Sequence, residues 1–319
     1  MAATIETNNW LKFLREEYLD SFIKNGGGAV KFTIPLEESL REQLEHGISE
    51  QSNQLGYIVT RISSARTRVN MMNQVFFGIA EQIPWQELTR RVLNNFAREK
   101  YGLPPVASSG PIATHIADAT GLTFMDVRRE ADIWISQNVT RFMNASRDFR
   151  LAMTHLCSAE MYGGRDGEIR KEMLANWLTG RNTAISAVRP YQIYNQITRT
   201  NARHLLESLL RWIKYAGYSG LVVIMDASRL TIDKNPHDSD LFYTKAVMLD
   251  AYEMLRQFID RMDRMESFLL VVDPALQFTD QEGGSRGLGS YQALNHRVFD
   301  EVQDKNLVNP MGAMVRLSP

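Results

Sequence analysis

The sequence predicts an α/β fold, a five-stranded parallel sheet interrupted by one large helical insertion. Two apolar runs, Leu221-Val222-Val223-Ile224-Met225-Asp226 and Phe268-Leu269-Leu270-Val271-Val272-Asp273, each end on a carboxylate, and such unbroken apolarity marks strands buried on both faces of a parallel sheet. A strand over 29–34, an amphipathic helix and a second strand over 56–62 follow one another in β-α-β order. Between that unit and the run at 220–226, residues 65–215 read as helical, an interval too long for a simple crossover.

Each element has its own signal. Trp10, Leu11, Leu14, Tyr18, Leu19, Phe22 and Ile23 recur at helical spacing over 9–24, and Gly26-Gly27-Gly28 stops that helix before the first strand. Pro35-Leu36-Glu37-Glu38 is expected to open the next helix, with Pro in the first turn and carboxylates facing the positive end of the dipole; it runs to about Asn53. The interval 65–215 shows helical stripes such as Val75, Phe76, Ile79 and Ile83, and Leu205, Leu206, Leu209, Leu210 and Ile213, with loops at 101–111 and 162–167. After the strand at 220–226, a helix over 242–265, the strand at 267–273, a glycine-rich loop at 279–289, a helix over 291–305 and a fifth strand at 313–317 complete the chain. The domains are therefore 1–64, first part of the α/β core; 65–215, helical insertion; and 216–319, second part of the core.

A chain of 319 residues with 44% hydrophobic and 23% charged residues can bury a large core. Its 36 basic and 37 acidic residues leave a net charge of −1, so nothing global draws it to nucleic acid or membrane, although a local basic face is compatible with that balance. Cys157 is the only cysteine and has no disulfide partner, which suits a reducing cytoplasm. No secretory apolar core stands in the first residues, and no run reaches the length of a membrane span.

The carboxylate at the end of the 220–226 strand raises the question of a phosphate site. Asp226 fits the Mg²⁺-binding position of nucleotide-hydrolysing folds, but Ala227 follows it where an acid would orient and activate water. Asp273 stands where a polar sensor of the γ-phosphate would sit, and Arg286 is a candidate finger reaching across a subunit boundary. A P-loop needs glycines, a Lys and a Ser or Thr after the first strand, so that backbone N–H groups curl around the phosphates. Between Ile34 and Leu40 there is neither glycine nor lysine, and Glu37 and Glu38 occupy the turn that attracts anions. Gly26-Gly27-Gly28 precedes the strand and so lies at the wrong end of the sheet. Helix capping is the competing role for Asp226, and solvation or capping for Asp273 and Arg286.

Gly217-Tyr218-Ser219-Gly220 through Asp226, Leu249-Asp250-Ala251-Tyr252 through Asp260, Tyr291-Gln292-Ala293-Leu294, Arg297-Val298-Phe299-Asp300-Glu301-Val302, Asn309-Pro310 and Val315-Arg316-Leu317, with Thr198-Arg199-Thr200-Asn201-Ala202-Arg203 upstream, form one set of segments. Together these segments resemble the ATP-binding proteins of bacteriophage-exclusion (BREX) systems. The resemblance covers about residues 165–317, and 20–100 more loosely. It implies a P-loop NTPase-like fold of the AAA+ or STAND kind, strand order 5-1-4-3-2, and a role in defence against phage. Asp226 matches the family's metal-binding aspartate, whereas the phosphate loop and the following acid are absent. The expectation is a catalytically degenerate ATPase-like subunit, without a bound cofactor, working through contacts with other defence-system subunits such as an active ATPase paralogue, or with itself as an oligomer. Two alternatives stay open: an active ATPase that binds ATP and Mg²⁺ at an unconventional site through Asp226, Asp273 and Arg286, and a DNA-binding adaptor using the helical insertion.

For the adaptor, residues 113–129 carry helix-turn-helix spacing, with Ala117, Gly121 at the turn, Val127 at a packing position and a second helix starting near Thr123. Asp126, Glu130 and Asp132 would face phosphates unfavourably, so a plain helical hairpin is the preferred reading. Arg61, Arg66 and Arg68 could line one basic groove, and Arg141, Arg147 and Arg150 a second, solvated faces being the commoner role. His155, Cys157 and His204 have no metal-ligand spacing.

Overall fold

The computed structural model describes residues 4–106, 110–142, 144–182, 184–279, 286–298 and 309–319. The chain divides into two compact units, Met1–Ile79 with Tyr218–Pro319, and Ala80–Gly217. Residues 65–79, read from the sequence as the start of the helical insertion, group with the first unit.

The first unit is built on a parallel sheet of six strands, not five. They are β1 (Ile5–Glu6), β2 (Gly28–Pro35), β3 (Tyr57–Ser63), β4 (Gly220–Asp226), β5 (Phe268–Asp273) and β6 (Met314–Ser318), in the order β1-β6-β2-β5-β4-β3. Counted over the five expected strands, that order reads 5-1-4-3-2. The additional strand, β1, is a two-residue edge that pairs Ile5 with Leu317 and Glu6 with Ser318, too short to leave a periodic trace in sequence.

Helix α1 (Thr7–Phe13) continues with π-type turns to Ile23, covering the stretch expected as one helix. Pro35 does not open a helix: it is the last residue of β2, paired with Leu317, and the ladder passes to Leu36 N–H, which donates to Leu317 O at 3.0 Å. Proline tolerates this place because the ladder asks no N–H of it. Helix α2 starts only at Glu38 and runs to Gln54, so the connection from strand to helix is Leu36-Glu37 alone. One sheet face is covered by α1, the π turns and α2, where Trp10, Leu14, Leu44 and Ile48 pack with Val222, Ile224, Leu269 and Val271. On β2 and β5, Phe32 and Phe268 stack on Phe278 and Phe258 at ring distances of 5.7 and 6.1 Å.

After β3 comes α3 (Met72–Ala80), and the second unit then holds α4 (Trp85–Tyr101), α5 (Ile112–Thr120), α6 (Phe124–Ile135), α7 (Arg147–Tyr162), α8 (Gly164–Leu178), α9 (Ile185–Val188) and α10 (Ala202–Tyr215). In α10 the expected stripe of Leu205, Leu206, Leu209, Leu210 and Ile213 is buried throughout. Helices α5 and α6 do meet through a short turn: Gly121 takes φ +72°, and Thr123 caps α6 by accepting from Asp126 N–H. Val127, Ala131 and Ile135 of α6 are buried. A buried carboxylate, Glu160 of α7, is held by Arg90, by Lys171 Nζ at 2.6 Å and by Gln86 at 3.3 Å.

Beyond β4 the chain forms α11 (Lys245–Asp260), which begins later than expected because Thr244, not Phe242, supplies the cap. Helix α12 is Gln292–Val298; residues 299–305 of the expected helix, including Phe299 to Val302 of the family-like segment, lie outside the described residues, as does most of the glycine-rich loop, 280–285. No helix among the described residues is long and apolar enough to cross a membrane.

Candidate functional site

In an open parallel sheet the crevice beyond the carboxyl ends of the strands is where ligands bind, because helix N-termini and loop N–H groups converge there. Two carboxylates stand side by side in this crevice. Asp226 ends β4, Asp273 ends β5, and the two are register partners. The β3 strand adds Ser63, whose Oγ donates to Asp226 Oδ2 at 3.0 Å, and Ser228 N–H donates to Asp226 Oδ1 at 2.9 Å. Asp273 is 5% exposed, and Ala275 N–H donates to its Oδ1 at 3.2 Å. Ala275 holds φ +69°, a left-handed turn stabilised by that hydrogen bond. Ala227 is fully buried, its N–H donating to Asp273 O at 2.7 Å.

The cation of the site is Arg41, in the first turn of α2. Its Nε lies 2.8 Å from Asp273 Oδ2 and its Nη1 3.9 Å from Asp226 Oδ1. The Nε–Oδ2 approach is off the hydrogen-bond line, so it acts as a close ion pair, leaving both atoms without an aligned hydrogen bond. Glu38, three residues earlier in the same turn, stands 3.6 Å from the same Nε. Burial pushes the Asp273 carboxyl up to about 6, and the Asp226 and Glu38 charges add to the rise, while Arg41 and the Ala275 N–H oppose it.

Sequence reasoning brought Asp226 and Asp273 together but missed Arg41, Ser63 and Ser228. An arginine in the first helical turn faces the positive end of the dipole, an electrostatic mismatch that calls for nearby carboxylates. Ser63 carried no signal, since its partner is 163 residues away.

Arg286 stands apart from this pair. It is 6% exposed, its Nε donates to Asp233 Oδ1 at 3.2 Å, its Nη1 donates to Tyr243 O at 2.8 Å, and the guanidinium lies 5.3 Å from the Phe242 ring centre. Tyr252 Oη donates to the Arg286 carbonyl at 2.6 Å. Arg61 meets Glu45 at 3.6 Å, Arg66 meets Asp240 at 3.9 Å, and Arg147 meets Asp148 at 3.4 Å. Among the described residues no three His, Cys, Asp or Glu side chains gather as a metal set. Cys157 is buried, which pushes its thiol well above the usual range, and burial pulls His155 down.

The β2–α2 turn is not built as a phosphate cradle. A turn of two residues between β2 and α2 offers no ring of N–H groups, Glu37 and Glu38 repel anions there, and the Arg41 guanidinium lies between the two carboxylates that would face a metal ion.

A parallel α/β sheet with paired carboxylates at its C-terminal edge defines the class of the sheet unit. Residues 112–319 match the family model described as BREX system ATP-binding protein BrxC/D, and the chain belongs to that family. The match reaches further toward the N-terminus than the resemblance at 165–317 and leaves β2, α2 and Arg41 outside it. Neither the comparison with curated proteins nor that with solved structures gave a match.

Proposed function

We propose that the chain is a subunit of a BREX phage-defence system that keeps a P-loop NTPase-like core but does not turn over ATP, working through contacts with other subunits. The observation that carries this reading is Arg41. Its positive charge stands between Asp226 and Asp273, so a Mg²⁺ ion at Asp226 would face a fixed cation 3.9 Å from the same carboxylate. The missing phosphate loop and the buried Ala227 after Asp226 support the same conclusion. The strand order and family membership support descent from an active nucleotide-binding fold. We read Ala80–Gly217 as a helical domain inserted into that core. For Arg286 to complete a neighbour's site, it would have to leave Asp233 and the Tyr243 carbonyl.

The test is ATP turnover by the purified protein beside its Asp226→Asn variant, together with thermal denaturation in saturating Mg²⁺ and ATP. No turnover and no shift in Tm are expected. Turnover that disappears in the Asp226 variant would overturn the reading. The family's printed description as ATP-binding favours a second reading, nucleotide held without hydrolysis. A rise in Tm without turnover would select it, because a ligand that binds only the folded state stabilises it.

A further inference from the structure

The near-neutral chain hides a charge asymmetry. Ala80–Gly217 holds 18 Lys and Arg against 13 Asp and Glu, a net +5, whereas the sheet unit holds 18 against 24, a net −6, together giving −1. Such a division between units marks the basic one for a polyanion. Most carboxylates of the helical unit are consumed internally, as Glu160 is by Arg90 and Lys171, Glu130 by Lys100, and Glu81 by Arg181. Arg150, Arg170, Arg189 and Arg199 have no carboxylate partner among the described residues.

Three of these arginines belong to an aromatic strip: Arg170 packs on it, Arg189 opens it and Arg199 follows two residues after its end, the last two both exposed. The segment 189–197 lies over α7 with its apolar residues down: Ile193 and Ile197 are buried, while Arg189, Tyr194, Asn195 and Gln196 are exposed and Tyr191 is half-buried. Its backbone is pinned by Trp177 Nε1, which donates to Asn195 O at 3.2 Å, and by Arg147, which donates to Gln192 O at 3.3 Å. Arg147 lies over the Tyr194 ring, 5.8 Å from its centre, Arg170 lies over that of Tyr191 at 5.9 Å, and His155 packs on Tyr191 at 5.2 Å. Asp148 reaches this strip and is bound by Asn195 Nδ2 at 2.8 Å and by Arg147.

We infer that this strip, Tyr191 and Tyr194 with Arg147, Arg170, Arg189 and Arg199, is a binding surface for single-stranded nucleic acid. Aromatic rings combined with guanidinium groups are the means by which proteins hold unpaired bases and the phosphates joining them, with little regard to sequence. Bases stacked inside a duplex cannot reach a tyrosine face, so the strip selects the single strand over the duplex. The helix pair α5–α6 is the poorer surface, since Asp126 and Asp132 accompany Arg128 and Arg129 on α6 and Arg128 is within 3.9 Å of Asp132.

The test uses the full chain and the fluorescence anisotropy of labelled oligothymidylate and oligouridylate of about 30 nucleotides, with a duplex of the same length. Binding is expected at about 50 mM salt and should weaken steeply as salt rises. Joint Arg189→Glu and Arg199→Glu replacement should lower affinity at least tenfold and reduce the salt slope by about 1.4, two phosphate contacts at about 0.7 each. Tyr194→Ser should weaken binding about tenfold with the slope unchanged, because it removes stacking and not charge. Both sets alter exposed side chains, and circular dichroism checks that they fold. Arg98→Glu on α4, outside the strip, should change affinity by less than about twofold. Absence of binding at low salt, equal affinity for the duplex, or strip variants that bind like the parent would each overturn the inference.

Discussion

Arg41 and Asp273 form a cation–carboxylate contact of 2.8 Å across the C-terminal edge of the sheet, joining the first turn of α2 to the last residue of β5. Their side chains are 19% and 7% exposed, so the pair is shielded from water on most sides. Asp226 and Glu38 crowd the same guanidinium from 3.9 and 3.6 Å, and one positive charge thus serves three carboxylates. The arrangement stands in the crevice where open parallel sheets receive a ligand.

Removal of the arginine should therefore expose the cost of a buried charge. Arg41→Ala is expected to destabilise the protein by about 3 kcal/mol at neutral pH, the lower end for breaking a shielded ion pair. Urea denaturation at pH 7 measures this. In an Asp273→Asn background the same replacement should cost under about 1 kcal/mol, since the strongest contact is already gone. Equal costs in both backgrounds would show that Arg41 stabilises the fold through something other than Asp273.

The pH dependence has a definite sign. Asp273 titrates at about 6 in the folded chain against a reference value of 3.8, so the native state binds its proton more tightly than the unfolded state. Its contribution is full below pH 3.8 and is lost as pH rises through 6, a span of about 3 kcal/mol at 1.36 kcal/mol per unit. Stability of the parent minus that of Asp273→Asn, measured between pH 4 and pH 7 (~3 units), isolates this group. The difference should fall toward neutral pH; a difference that rises would contradict the buried, charge-crowded setting of the carboxyl.

Much of this site could be read in the sequence, and the unread part has a physical reason. Runs such as 221–226 and 268–273 announce buried parallel strands because each residue contributes to the signal, and their terminal carboxylates mark the ligand edge. Two residues of β1 cannot do so. The Pro35 signal misled because proline suits either a strand end beyond its neighbour's ladder or a helix start, and here the β5 pairing stops at Phe32 while Leu36 bonds Leu317. Arg41 was discoverable as a cation at the wrong end of a helix dipole, but its partners lie 185 and 232 residues along the chain (Asp226 and Asp273), and nothing local names them. The basic character of Ala80–Gly217 was masked by averaging over the whole chain.

The strand that carries Asp226 depends on one glycine at its start. Gly220 has φ +151°, and a Cβ there would come within 2.1 Å of Ser267 O, the backbone atom that accepts from Leu221 N–H at 3.0 Å. Backbone cannot yield as a flexible side chain does, so Gly220→Ala must shift β4 against β5. A loss of more than about 2 kcal/mol is expected in denaturant unfolding. At Gly217, with φ +86° but nothing near a Cβ, alanine should cost less, about 1 kcal/mol. A reversed order would place the constraint in conformation and not in strand spacing.

In the helical unit Glu160 is the most consequential buried charge. It is 3% exposed, and Lys171 Nζ at 2.6 Å, Arg90 and Gln86 hold its carboxyl below the usual range against the opposing effect of burial. Because the folded value is depressed, its contribution is present above the unfolded pKa of 4.5 and lost as pH falls through the folded one. Glu160→Gln keeps the shape but leaves the shielded Arg90 without its carboxylate, at an expected cost of about 3 kcal/mol at neutral pH. Lys171 is 21% exposed, and without it Glu160 keeps Arg90 and Gln86, so Lys171→Met should cost clearly less than Glu160→Gln. Thermal or denaturant unfolding of the two variants checks that ranking; a larger loss for Lys171→Met would mean that the lysine, and not the carboxylate, organises the cluster.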